Sequence, residues 1–285
     1  MRWIERFINT PQVQYIWKLY SSAQEHYIGL IAAGVAFYFF MGAFPALAAV
    51  ISLYGLFSDP MFITEQLESF ERFLPPESFS ILVGQARAIA GSSGAALSLG
   101  LVFGIILTIY SATKGVKALI KGFNIAYRVK ESRNLVSLNS TSFFLTFVLM
   151  VYFLLSLSLV ALMPAFFQLI RLPDIVMTSA LSLRWPALFL LAVMGLEILY
   201  FFGPSFKRPK WQWLSWGSFI ATMLWLICSS FFSLFVSNFG NYNETYGSLG
   251  AVAVLLLWFW MSALMILFGA EINATLHHHR QSQKT

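Results

Sequence analysis

The stretch Ser142-Phe-Phe-Leu-Thr-Phe-Val-Leu-Met-Val-Tyr-Phe-Leu-Leu-Ser-Leu-Ser-Leu-Val-Ala-Leu-Met-Pro-Ala-Phe-Phe167 contains no charged side chain. It exceeds the roughly 20 residues that a helix needs to cross a hydrocarbon core. It also lacks the ten-residue alternation of a barrel strand. Inside lipid every backbone N–H and C=O must find its partner within the segment, so the stretch reads as a spanning α-helix.

Working outward, five further segments pass the same test: Gly29–Phe57, Ala95–Thr113, Pro186–Phe202, Leu214–Phe235 and Ser248–Ala270. Pro186–Phe202 is the shortest. The composition agrees, with 58% hydrophobic, 17% aromatic and only 11% charged residues in a chain of 285, against about 25% charged in soluble domains. So few charges cannot cover a globular surface, and lipid has to be the missing solvent. The expected fold class is an all-α integral membrane protein of about six transmembrane helices with cytoplasmic N- and C-termini.

Orientation follows from the basic residues, which cytoplasmic segments retain. With the N-terminus inside, the inner segments hold Arg2, Arg6 and Lys18, then Lys114, Lys117, Lys121, Arg128, Lys130 and Arg133, then Lys207, Arg208 and Lys210, then Arg280 and Lys284. Of the 18 Lys and Arg, only Arg72, Arg87, Arg171 and Arg184 fall outside. No cleavable signal peptide is expected, because Met1–Glu25 mixes charges with short apolar stretches and the first span must itself be the targeting signal. Multi-pass insertion in a bacterial plasma membrane is the expected localisation.

The chain divides into three parts. Residues 1–28 read as a cytoplasmic interfacial helix. Thr10-Pro11 is an N-cap followed by proline at the first helical position, and Val13, Ile16, Trp17 and Tyr20 place an apolar face with an aromatic tip at headgroup level. Residues 29–275 form the six-helix domain, with 58–94 an extracytoplasmic capping segment of two short helices, and 276–285 a short basic tail. Small residues four apart (Ala32 and Ala36, Gly42 and Ala46, Gly100 and Gly104, Ser111 and Gly115) mark seams where backbones approach closely.

Three stretches then resemble the YihY/BrkB family of bacterial inner-membrane proteins, once wrongly labelled as ribonuclease BN. The first is Val236-Ser-Asn-Phe-Gly-Asn-Tyr-Asn-Glu-Thr-Tyr-Gly-Ser-Leu-Gly-Ala-Val252 with Gly269-Ala-Glu-Ile-Asn-Ala274. The second is Tyr110-Ser-Ala-Thr-Lys-Gly-Val-Lys-Ala-Leu-Ile-Lys-Gly-Phe-Asn-Ile-Ala-Tyr-Arg-Val-Lys-Glu131, and the third Ala32-Ala-Gly-Val-Ala-Phe-Tyr-Phe-Phe-Met-Gly-Ala-Phe-Pro-Ala46. With Phe202-Gly-Pro204 they extend the likeness over nearly the whole chain. The resemblance implies a six-helix plasma-membrane protein with a role in transport or envelope integrity, some relatives being associated with serum resistance and lipopolysaccharide lipid traffic. It supplies no catalytic residue. Two departures stand out: Phe37-Tyr38-Phe39 where relatives commonly carry paired tyrosines, and a shorter C-terminal tail.

Little in the residues speaks for catalysis. Metal-dependent phosphodiester hydrolysis needs clustered carboxylates or histidines at ligand spacing. The four histidines are His26 and the consecutive His277, His278 and His279, whose side chains would point about 100° apart on a helix. No phosphate loop occurs, and the sole cysteine, Cys228, forms no intrachain disulfide. Neither enzyme activity nor a cofactor or metal is expected. The expected partners are membrane lipids, with an anionic lipid or solute as cargo and without nucleic acid, while homo-oligomerisation stays open.

The candidate cavity or gate residues are Tyr38, Pro45, Lys114, Glu197, Asn238, Asn241, Asn243, Tyr246 and Glu271. Ionisable groups within a span are costly and functional by default. Glu197 reads equally as a carboxyl hydrogen-bonded to a neighbouring helix and as a proton-coupling residue. Glu271 lies where snorkelling to water or to a nearby lysine favours a structural role. Pro45 is expected to break the first span beside Tyr38 and Gly42. The polar run Asn238–Tyr246 is either an ordinary tight loop or an inward-folded outer gate. The functional expectation is a transporter-like or lipid-translocating envelope protein; the rival is a non-transporting scaffold.

The orientation is testable. A single cysteine at Glu68, in a Cys228→Ser background, should react with an impermeant maleimide added from the outer side, and one at Lys130 should not. The reverse pattern would invert the topology.

Overall fold

The computed structural model describes residues 11–57, 94–162, 174–206, 213–238 and 248–282. The expected capping segment 58–94 lies, but for Gly94, outside the described residues. Among them the helices are α1 (Pro11–Glu25), α2 (Ile28–Phe57), α3 (Gly94–Ala126), α4 (Leu135–Leu157, continued by a π-turn over Ser158–Leu162), α5 (Asp174–Phe202), α6 (Trp216–Asn238) and α7 (Ser248–Ser282). Helices α2 to α7 supply six stretches long and apolar enough to cross a membrane.

Several boundaries differ from the sequence expectation, each for a local reason. Helix α3 continues through Ala126 rather than stopping near Thr113, because Val116, Leu119, Ile120 and Phe123 form a buried stripe at helical spacing while Lys117 reaches Asn139 at 2.6 Å. The basic stretch expected to be a loop is thus mostly helix. Helix α4 starts at Leu135 because Asn134 caps it, its side chain accepting from the Ser137 N–H at 2.8 Å. Helix α5 begins at Asp174 and passes straight through Pro186; losing one donor costs less than ending a helix in lipid. Helix α7 runs past Ala270 to Ser282, with Glu271, Ile272 and Ala274 buried, so most of the expected tail is helical. Helix α2 likewise continues through Pro45, and the expected break is absent.

The described residues fall into two compact units. One is drawn from Gly34–Gly115 and Ser229–Trp260. Within it α2 and α3 meet along the small-residue seam. A Cβ at Gly42 would touch that of Ser111 at 3.3 Å, one at Gly104 would meet the Pro45 carbonyl at 2.8 Å, and one at Gly100 the Ser52 hydroxyl at 3.0 Å. The pairings run in opposite directions along the two helices, so α2 and α3 are antiparallel here. Glycine is required because the Pro45 carbonyl occupies the space a side chain would need.

The other unit is drawn from Met1–Ala33, Val116–Cys228 and Met261–Thr285. In it α1 buries Leu19, Ser22 and Ala23 and turns Trp17 and Tyr20 outward, their rings 6.0 Å apart. Helices α4 and α5 pack through Phe144 against Phe202 at 5.2 Å. The connection from α3 to α4 is locked to the end of α5. Arg133 donates to the Phe202 and Gly203 carbonyls at 3.2 and 2.7 Å, covering acceptors that the helix leaves unpaired. Glu131 holds the guanidinium with two 2.8 Å bonds, and Asn124 links both, donating to Glu131 and accepting from the Ser205 N–H.

The hydrogen bonds from Arg133 hold the Glu131 carboxyl down to about 2, from an ordinary 4.5. Its folded value is depressed, so the lock's contribution is complete above pH 4.5 and lost as pH falls towards 2. In that window the thermal midpoint of the purified protein should fall further than that of a Glu131→Gln variant. Equal falls would remove the lock from the account.

Candidate functional site

Hydrogen bonds from neighbouring helices converge on the start of α6. A helix leaves its first N–H groups without intrahelical partners, and Ser215, one residue ahead of α6, acts as the N-cap. Its hydroxyl accepts from the Ser218 N–H at 3.2 Å and its carbonyl from the Phe219 N–H at 3.2 Å. In a capping box, the third helical residue would reach back to the cap's own N–H. That residue here is Ser218, too short for the task. Glu197 of α5 takes its place: its carboxylate accepts from the Ser215 N–H and, at 2.5 Å, from the Ser218 hydroxyl.

Helix α7 closes the remaining gap. Asn273 accepts from the Gly217 N–H through Oδ1 at 2.8 Å and donates from Nδ2 to the Ser215 hydroxyl at 2.8 Å. Three helices therefore satisfy one helix end, and Glu197, 5% exposed, brings its carboxylate to the end where the helix dipole favours an anion. The close approach needs glycine. A Cβ on Gly217 would fall on the Gly269 carbonyl oxygen, and one on Gly269 on the Tyr200 hydroxyl and, at 2.7 Å, on Ala221. Tyr200 donates to the Ile266 carbonyl at 2.8 Å. Tyr127 is buried nearby, and burial followed by the charge of Glu197 raises its phenol above the ordinary range.

Glu271, 1% exposed, sits on the same helix but in a separate arrangement. It does not snorkel, and its partner is not a lysine: the carboxylate meets His26 Nδ1 at 2.6 Å. His26 follows the last residue of α1, which stops there because Tyr27 takes a left-handed φ of 51°. Around the pair lies a cleft of about 60 Å³ lined by Lys18, Ser22, His26, Ala126, Arg128, Glu271 and Thr275.

The remaining sequence candidates are dispersed. Tyr38 is half-buried with its ring 5.5 Å from Phe37, Pro45 faces Gly104, and Lys114 stacks over Tyr110 at 5.2 Å. All three belong to the first unit, Glu197 and Glu271 to the second. Asn238 ends α6, its side chain outside the described residues, as are Asn241, Asn243 and Tyr246. Sequence reasoning missed Ser215, Ser218, Asn273 and His26. The Ser215-x-x-Ser218 spacing ahead of an apolar run was a readable cap signal, whereas nothing in the spacing of His26 and Glu271 announces their contact.

Comparison with known proteins places the chain. The family model "Virulence factor BrkB" matches residues 19–285. A protein of Bacillus subtilis (strain 168) that carries a ribonuclease-like name, YfkH, is 30% identical over 258 residues, which is 88% of this chain and 90% of that one. The UPF0761 membrane protein VV0203 of Vibrio vulnificus (strain YJ016) is 25% identical over 87% of this chain and 78% of its own. A UPF0761 membrane protein of Tolumonas auensis is 34% identical over 31% of this chain and 29% of its own. No solved structure gives a significant match.

Glu197→Ala should destabilise the protein by about 1–3 kcal/mol, since it strands the buried Ser215 N–H and leaves the Ser218 hydroxyl only the Ser215 carbonyl to donate to, whereas Glu197→Gln keeps an acceptor oxygen and should cost less. Unfolding in detergent, followed by far-UV circular dichroism, would measure both. An alanine variant as stable as the parent would dissolve the capping role.

Proposed function

We propose, on the premise that this chain belongs to the virulence factor BrkB family of membrane proteins, that it is a plasma-membrane protein that translocates an anionic lipid and so supports envelope integrity. The observation that carries this reading is the outward face of α1. Trp17 and Tyr20, with Tyr27 just past the helix end, are largely exposed on a segment outside the spans. Aromatic rings so displayed suit the level of lipid headgroups. Lys18 and Arg128 line the cleft beside them, and cations at that depth attract anionic lipid. The spanning helices expose many large apolar side chains, which suits a surrounding of lipid. The cargo is moved without chemistry on it; the ribonuclease-like name is taken as belonging to YfkH alone.

One observation favours the rival, a non-transporting scaffold. Glu197 is fully engaged in capping α6, and Gly217 and Gly269 bring α6 and α7 into backbone contact, an arrangement suited to rigidity. In this account Glu197 is a positioning residue.

Reconstitution separates the readings. Liposomes containing the purified protein and a headgroup-labelled fluorescent phosphatidylglycerol should lose inner-leaflet signal to external dithionite faster than protein-free liposomes, and Glu197→Gln should retain the gain. Rates equal to those of empty liposomes would leave the scaffold; loss of the gain in a folded Gln variant would return Glu197 to a coupling role.

A further inference from the structure

Two helix ends meet over Glu271, and both stop on a residue that is not glycine. Tyr27 and Arg128 are the non-glycine residues with positive φ among those described, at 51° and 55°. At Arg128 the ending is a Schellman motif. The Arg128 N–H bonds the Ile125 carbonyl at 3.0 Å and the Val129 N–H bonds the Asn124 carbonyl at 2.9 Å. Glycine fills that position at least conformational cost. An arginine kept there, with its side chain lining the cleft, points to a use for the guanidinium beyond ending a helix.

The cleft's charges are unequal. Glu271 at its base is held by His26 at 2.6 Å. Lys18 and Arg128 also line it; among the described residues neither forms an ion pair within 4 Å, and Arg128 acts on Glu271 only from farther off. The hydroxyl-bearing side chains of Ser22 and Thr275 complete the wall. A cation would meet two fixed positive charges. A compact oxyanion would meet a lysine and an arginine, the pair that phosphate recognition uses most. A cleft of about 60 Å³ has room for a few waters, at roughly 10–15 Å³ of such space each, and so for a compact tetrahedral anion. The exposed Trp17, Tyr20 and Tyr27 beside it put the opening at headgroup depth.

We propose that the Lys18–Arg128 cleft above the His26–Glu271 pair is a binding site for a phosphate-bearing headgroup, with Arg128 and Lys18 as its charged contacts. This deepens the lipid reading and takes its ligand class from it. Binding is measured at equilibrium, however, so a protein that retains the lipid without translocating it would contradict the function and leave the site standing.

The test uses the full chain in detergent, with native mass spectrometry of bound lipid. Phosphatidylglycerol should be retained in preference to diacylglycerol, which has the same chains and no phosphate. Arg128→Gly removes the guanidinium while relieving the backbone, so its thermal midpoint should hold or rise while lipid retention falls at least about tenfold, the scale of one charge-assisted hydrogen bond. Lys18→Gln, on an exposed helix face, should also weaken retention with the fold intact. Glycerol 3-phosphate binding as tightly as the lipid, with the same dependence on Arg128, would support the site with a soluble source. Equal retention of phosphatidylglycerol and diacylglycerol, or undiminished retention in both variants, would overturn the proposal.

Discussion

A helix that begins in a buried setting has N–H groups which water is not there to satisfy, and the start of α6, with Ser215 and Ser218 buried, is where this protein meets that constraint. An unpaired buried donor costs about 1–3 kcal/mol, and Ser215 cannot meet the need alone. Glu197 from α5 and Asn273 from α7 supply the missing acceptors. Because those residues come from different helices, satisfying one helix end fixes the mutual positions of three. The glycines at 217 and 269 follow from the same demand, since a side chain at either would push Asn273 or Tyr200 out of reach.

The two buried carboxylates illustrate how environment divides roles between like residues. Glu197 sees hydroxyls and a helix end; Glu271 sees an imidazole and, around the same cleft, two cations. The first arrangement consumes the carboxylate in holding the fold. The second sits in a cleft that Lys18 and Arg128 also line, and it is there that we propose an anionic headgroup binds.

Much of the fold was legible in the sequence because spanning helices announce themselves by length and apolarity, and the seams at Gly42, Gly100 and Gly104 by spacing. Less legible were the boundaries. A helix leaving the membrane changes from uniformly apolar to amphipathic, so α3 and α7 seemed to end at Thr113 and Ala270, where only their periodicity changed. Pro45 was expected to break its helix and Pro186 to open one, by rules that hold in water, where a freed chain can be hydrated. Glu197 and Glu271 could be chosen as candidates because a buried charge is expensive, but their partners could not. Ser215 lies 18 residues from Glu197 and His26 lies 245 from Glu271, and only the packing brings them together.

The claim that Glu197 completes the cap of α6 is tested most directly by a double-mutant cycle. Glu197→Ala, Ser218→Ala and the double variant would be unfolded under one set of conditions in detergent. Residues sharing a buried hydrogen bond should couple by at least about 1 kcal/mol, so the double variant should lose clearly less stability than the two single losses combined. Strict additivity, within about 0.3 kcal/mol, would mean that the two side chains act independently, contradicting the account of the site.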